Sequence, residues 1–166
     1  MEHFEQFNIE SIRLMDFRKF KDYSIQFNLM PREIFHDGGR IPVGPLTVLV
    51  AKNGMGKTSA LDAVRILFGR YTAPFKFASQ IHISKTDIRI VSDNPHSPAE
   101  PAEKAAISGN VFLNGILYQG IDRELSAKKG MRTTTSGVAC ITEYSTRVIQ
   151  QRKSNPDTEW PILAFY

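Results

Sequence analysis

Apolar and polar residues alternate from the start of the chain. Ile12 and Leu14 interleave with Arg13 and Met15, which predicts a strand from about Asn8 to Phe17. In "YSIQFN", Tyr23, Ile25 and Phe27 fall on one face at period two and predict a second strand, with "FRKFKD" as the turn between them. Residues Met30–Pro45 hold Pro31, Gly38, Gly39, Pro42, Gly44 and Pro45, and read as a loop. The pattern then changes. Leu46–Val50 is a short, continuous apolar run rich in valine, the pattern of a strand buried on both faces. After a glycine-rich turn, Leu61, Val64, Leu67 and Phe68 make one apolar stripe. That stripe predicts a helix over Gly56–Phe68, packed on the sheet through Leu61, Val64 and Phe68. Gly69 falls where a left-handed helix cap is expected.

Beyond the helix the periodicities are shorter. Tyr71–Gln80 is aromatic and irregular, and "IHISKTDIRIV" holds enough β-branched residues for a strand. Residues 92–104, "SDNPHSPAEPAEK", carry Pro95, Pro98 and Pro101 among polar residues and read as a flexible Pro-rich surface loop. In "GNVFLNGILYQG", two apolar runs flank Asn114-Gly115, the preferred pair for a two-residue turn, and a hairpin over Val111–Tyr118 follows. "AKKGMRTTTSG" is a basic, polar loop. Val138, Ile141, Tyr144 and Val148 then step at helical spacing, giving a helix to about Lys153 that Asn155-Pro156 stops. The terminal "WPILAFY" reads as a buried strand, and no internal repeat is visible.

The turn between the apolar run and the helix carries the chemistry. "AKNGMGKTS", Ala51–Ser59, follows G-x-x-x-x-G-K-[ST] except that Ala51 stands at the first glycine. Dense negative charge is best held by backbone N–H groups converging at a helix N-terminus, where the dipole adds positive potential. Gly54 and Gly56 let the backbone curl closely enough. Lys57 is placed to reach the outer phosphates of a nucleotide, and Thr58 to offer its hydroxyl to Mg²⁺. Ala51 begins the loop at the strand's end, where a methyl is tolerated if φ stays negative.

Composition alters this picture little. The 166 residues suit one domain, and an apolar content of 42% is ordinary for a globular chain. A net charge of +4 is compatible with a nucleic-acid partner without requiring one. Cys140 is the only cysteine, which excludes an intrachain disulfide and a cysteine-based metal site, and the four histidines lack ligand spacing. No stretch approaches the roughly 18 apolar residues of a membrane span. The polar "MEHFEQFNIES" is unlike a signal peptide, so no membrane partner and a cytoplasmic location are expected.

"FNIESIRLMDFRKFKDYSIQFN" followed by "LTVLVAKNGMGKTSALDAV" resembles the start of the ATP-binding-cassette ATPases of the RecF/SMC/OLD group, which work on DNA. "SKTDIR" and "WPILAFY" are similar to a bacterial branch that includes anti-phage ATPases of the PtuA type. The resemblance implies an α/β fold: the N-terminal lobe of a P-loop NTPase, with a mixed or antiparallel sheet and a helix after the phosphate loop. It implies ATP and Mg²⁺ as cofactors. The nucleotide would be held by Asn53, Gly54, Met55, Gly56, Lys57, Thr58 and Ser59, with Thr58 on the metal. Arg18 of "DFRKF" matches the family arginine that reaches the phosphates, and Asn53 the loop asparagine near the γ-phosphate. Asp87 and Arg89 of "SKTDIR" match without an evident mechanism, and a surface ion pair is the plain reading. Hydrolysis by the intact protein would be coupled to DNA repair, recombination or antiviral defence, with two copies closing as a homodimer over the nucleotide.

The chain also departs from that pattern. No apolar strand ending in Asp-Glu follows the phosphate loop, and "AISGN" and "TTSGV" are poor matches to the Ser-Gly-Gly signature. The expectation is therefore the N-terminal part of a longer ATPase, inactive alone and with its catalytic residues unknown. The alternative is a degenerate, non-catalytic module that binds nucleic acid through Arg123, Lys128, Lys129 and Arg132, or through Arg147, Arg152 and Lys153. A GTPase would need an Asn-Lys-x-Asp motif, which is absent, and the "FRxF" opening argues against a small-molecule kinase.

Overall fold

Where alternation is longest, the chain forms its main sheet. A computed structural model describes residues 6–30, 32–36, 38–43, 47–75, 81–92, 98–127 and 132–157. In chain order the elements are β1 (Phe7–Phe17), β2 (Phe20–Gln26), β3 (Arg32–His36), β4 (Gly39–Val43), α1 (Lys57–Leu67), α2 (Gly69–Thr72), a single 3-10 turn (Lys85–Asp87), β5 (Ile90–Val91), β6 (Glu100–Pro101), β7 (Lys104–Leu113), β8 (Ile116–Ser126), β9 (Arg132–Ser136) and α3 (Ala139–Ser154). Five strands pair in the order β2-β1-β7-β8-β9, every neighbour antiparallel. The β3–β4 and β5–β6 pairs stand as separate two-stranded ribbons.

One face of the sheet is apolar because the pleat puts alternate residues on the same side. Ile12, Leu14, Ile25, Ala105, Ile107, Val111, Leu113, Ile121 and Leu125 are buried there, against Ala63, Val64, Ile66 and Leu67 of α1 and Ile141, Tyr144 and Val148 of α3. Gly109 sets how closely α1 approaches. A Cβ there would lie 2.6 Å from Leu67 Cδ2 and 2.8 Å from the Ser11 carbonyl, so the leucine seats where a side chain would stand. Among the described residues no helix is long and apolar enough to cross a membrane.

Several elements stand as the sequence predicts. β1 covers the first expected strand. The Asn114-Gly115 turn has both residues at positive φ, 51° and 79°, as a mirror-image two-residue turn requires, and its hairpin extends well past Val111–Tyr118. α3 matches the expected helix to within a residue at either end.

Others are corrected. Thr47–Val50 pairs with no strand among the described residues, and Val48 and Val50 are exposed, at 66% and 89%; Leu46 lies outside the described residues. An apolar run becomes a buried strand only when neighbours satisfy its backbone, and here the main sheet is completed by β1, β2, β7, β8 and β9. The buried face of α1 is Ala60, Ala63, Val64, Ile66 and Leu67, with Phe68 after it, so Leu61 points outward. Gly69 is not a left-handed cap but the first residue of α2. Residues 32–43 form the β3–β4 ribbon, Pro42 opposite Glu33, rather than a loop. Within the Pro-rich excursion, Glu100–Pro101 pairs with β5, while 93–97 lie outside the described residues. The basic loop contributes β9. The "WPILAFY" strand and Lys128 and Lys129 also lie outside the described residues.

Candidate functional site

α1 begins at Lys57, directly after the glycine-rich turn, so the turn's last N–H groups face the positive end of an eleven-residue helix. No acidic residue stands in its first turn. Gly54 and Gly56 have φ of 79° and 98°, a region side chains rarely adopt. Gly56 is further constrained by space, because a Cβ would lie 2.8 Å from the Phe20 ring. The Met55 N–H donates to the Lys52 carbonyl at 3.2 Å and the Ala60 N–H to the Gly56 carbonyl at 2.9 Å, which closes the turn and starts the helix. Asn53, Met55 and Thr58 are exposed, and Ser59 is half-buried.

Lys57 folds back over this turn. Its Nζ donates to the Ala51 carbonyl and, at 3.2 Å, to that of Lys52. From the β1–β2 turn, Lys19 Nζ donates to the Gly54 carbonyl. A cavity of about 480 Å³ opens beside both lysines, lined by Phe20, Tyr23 and Ile25 of β2, Leu49, Val50 and Ala51 before the turn, Gly54, Met55 and Gly56 within it, and Ala60. Phe20 and Tyr23 stack there with centroids 5.2 Å apart and planes 21° from parallel. Two cations and an apolar, aromatic wall lining one cavity fit a ligand with an anionic part and a flat, weakly polar part.

Arg18 lies against the same helix but points elsewhere. Its Nε donates to Asp87 Oδ1 at 2.8 Å and its Nη1 to Asp62 Oδ2 at 2.7 Å, with Ser59 Oγ 3.5 Å from Nη1. Partial burial opposes its charge, yet the hydrogen bonds and charges of Asp62 and Asp87 outweigh that and raise its pKa. Asp87 is buried and also accepts from the Ser84 backbone N–H at 2.8 Å and the Ser84 hydroxyl at 2.9 Å.

"SKTDIR" thereby acquires a structural role. Phe17 and Ile88 form a bridge, flanked by Arg18 N–H to the Asp87 carbonyl at 2.6 Å and Arg89 N–H to the Asp16 carbonyl at 2.8 Å. Side chains cross the same junction, Arg18 to Asp87 and Arg89 to Asp16, the latter at 2.8 Å. Asp16 and Arg18 both carry positive φ, 45° and 50°. Such strain costs of order 1–3 kcal/mol per residue and persists only where surrounding contacts over-determine it; the reciprocal pairs do so here. Asp87 and Arg89 are therefore not a plain surface pair: each pairs with a residue at the end of β1, and Asp87 is core.

The structure brings Gly54, Met55, Gly56 and Lys57 to one cavity, to which Lys19, Phe20 and Tyr23 are added, and it sets Ser59 beside Arg18 and Asp62 outside that lining. Lys19 and Phe20 are marked in the sequence only by adjacency, since both follow Arg18 in "FRKF". The proposed basic patch around Arg123 does not form as drawn. Arg123 is 2% exposed on the core face of β8, and burial followed by the nearby charge of Arg70 lowers its pKa.

A model of the AAA domain family matches residues 11–158, which takes in all of the elements above from β1 to α3 except the first four residues of β1. No curated protein matches the chain.

Proposed function

The chain belongs to the AAA domain family, whose members are nucleotide-binding proteins of ATPase type, and from that premise we propose that residues 52–59 bind the phosphates of ATP. The observation that carries this is the start of α1: two left-handed glycines, a helix N-terminus and the Lys57 ammonium converge beside one cavity. The turn fits a triphosphate, since its glycines leave no Cβ in the way and a cation stands at its mouth. The backbone N–H groups of Gly54 and of Gly56–Ser59 would hold the phosphate oxygens, with Met55 between them closing the turn on Lys52, and Lys57 would hold the outer oxygens. Thr58, exposed at the second helical position, would offer its hydroxyl to Mg²⁺, which when bound shields the phosphate charge. Asn53 would stand at the terminal phosphate. The apolar wall of Phe20 and Tyr23 would take the base.

Hydrolysis further requires a group that orients the attacking water. Asp62 and Asp87, the carboxylates brought to this end of α1, are both engaged by Arg18. We therefore propose that a single copy of these 166 residues binds Mg-ATP and turns it over near the background rate. Turnover on closure of two copies, coupled to DNA, is supported by the resemblance of the opening strands and turn to the RecF/SMC/OLD group.

Calorimetric titration of Mg-ATP into wild type and Lys57→Ala tests the cradle. One charge-assisted contact is worth roughly 1.5–3 kcal/mol, so affinity should fall by about one to two decades. Equal affinity in the two proteins would refute it.

A further inference from the structure

We propose that Lys19, rather than Arg18, is the cation that the β1–β2 turn supplies to the nucleotide's outer phosphates. The inference rests on the nucleotide reading above and specifies which residue completes it.

The two neighbours on the turn differ in what they already hold. Arg18 is bound by two carboxylates at 2.7 and 2.8 Å. Arg65 also pairs with Asp62 at 3.3 Å, so the cluster of two cations and two carboxylates is neutral and presents no net attraction to an anion. Turning Arg18 toward a phosphate would also strand Asp87, which is 3% exposed, and remove a support of the strained Asp16–Arg18 backbone. A buried carboxylate deprived of its partner is a costly thing to create.

Lys19 has none of these ties. Its side chain is exposed, and its ammonium rests on one neutral acceptor, the Gly54 carbonyl. Among the described residues no carboxylate pairs with it. The acceptor itself belongs to the glycine-rich turn, so the ammonium is already at the edge of the cradle. Lys57 makes the matching contact from the other side, on the carbonyls of Ala51 and Lys52. Residues 51–54 are thus bracketed by two ammonium groups that line one cavity. A phosphate entering between them exchanges a neutral carbonyl for an ionised oxygen at each, which adds the attraction of opposite charges to the hydrogen bond. Water can solvate the released Gly54 carbonyl, because Gly54 is exposed.

Lys19→Gln separates charge from shape, since the amide can still donate to the Gly54 carbonyl. Displacement of an ATP bearing a fluorescent ribose label by ATP, ADP and AMP reads the effect. Lys19→Gln should weaken ATP about tenfold, as expected for one charge-assisted contact, ADP less and AMP least. Its melting temperature should match wild type, and Lys19→Arg should restore most of the ATP affinity. Arg18→Gln should lower the melting temperature while changing ATP affinity less than Lys19→Gln does. Loss of equal size for ATP, ADP and AMP would make Lys19 a structural staple and overturn the proposal. Wild-type ATP affinity in Lys19→Gln, with Lys57→Ala still impaired, would overturn it and leave the cradle standing. A wild-type protein that binds none of the three nucleotides would overturn both.

Discussion

The two ends of α1 are built on opposite principles. At the C-terminal end, Phe68, Tyr71, Phe75 and Tyr144 are buried together with Phe7 against them. Phe7 meets Phe68 edge-on at 5.6 Å and lies 5.2 Å from Tyr71 and 5.9 Å from Tyr144. Burial there pushes the Tyr71 hydroxyl up to about 12, so it stays protonated across the physiological range. At the N-terminal end the glycines are left-handed, the lysines rest on backbone carbonyls, and Val48, Val50, Met55 and Leu61 are exposed. One end holds the helix to the sheet. The other leaves backbone and charge available to a ligand, and local stability is commonly low where ligands bind. Substitutions should therefore divide cleanly, those at the sealed end changing stability and those at the open end changing binding.

The largest effect expected is at Phe68, 1% exposed and in contact with both α1 and the aromatic cluster. Phe68→Ala should cost about 3–5 kcal/mol of unfolding free energy, through lost burial and the cavity left behind. Urea unfolding followed by circular dichroism measures it. The protein that remains folded should bind Mg-ATP as wild type does, and a parallel loss of affinity would break the division between the two ends.

How much of this was legible beforehand depends on the range of the interaction. The Asn114-Gly115 hairpin and α3 were readable because turn chemistry and helical spacing are decided within a few residues. The ribbon of β3 and β4 was hidden by Pro42 and the glycines, which mark turns but are tolerated in short edge pairings. The glycine-rich turn was readable as a motif, whereas its walls were not. Phe20 and Tyr23 reach it only because β2 lies beside the turn, with the Phe20 ring against Gly56, a contact at a sequence separation no local rule covers. The crossed pairs of Asp16, Arg18, Asp87 and Arg89 were invisible for the same reason, being about 70 residues apart. Arg123 was a different kind of miss. It stands between Ile121 and Leu125 at period two, which places it on their face, whereas its charge alone suggests a surface patch.

That arginine gives the second test and sharpens the account of the sealed end. Arg123 Nε and Nη2 are buried and have no hydrogen-bond partner among the described residues. A Cβ on Gly69 would lie 3.7 Å from Nη2, so the guanidinium lies where α1 gives way to α2. Burying an uncompensated charge opposes folding, and replacing buried ionic groups by apolar ones of similar volume often stabilises by about 1–4 kcal/mol. Arg123→Met keeps an unbranched, flexible side chain, shorter but of comparable volume, and removes the charge. It should raise stability by about 1–2 kcal/mol, the low end of that range, visible as a higher melting temperature. A lower melting temperature would show that an acceptor reaches the guanidinium and that the sealed end is held by charge as well as by aromatic packing.

The smallest effect expected carries the most about the open end. A continuous apolar run, Leu46–Val50, predicts a strand buried on both faces, yet Val50 is 89% exposed and pairs with no strand among the described residues. The two accounts differ in what one substitution does. In a doubly buried strand Val50→Ser would lose most of a valine's burial, roughly 1.5–3 kcal/mol, and leave a hydroxyl to satisfy. At an exposed position the same change should stay within about 0.5 kcal/mol. Urea unfolding of Val50→Ser beside wild type decides between them, with Val64→Ser as the internal standard, since Val64 is 6% exposed on α1. Near-equal unfolding free energies for Val50→Ser and wild type, with Val64→Ser clearly destabilised, would establish the N-terminal approach to the turn as surface. A loss at Val50 comparable to that at Val64 would mean that the approach is packed, and the contrast between the two ends of α1 would then lie in the loop's glycines and lysines alone.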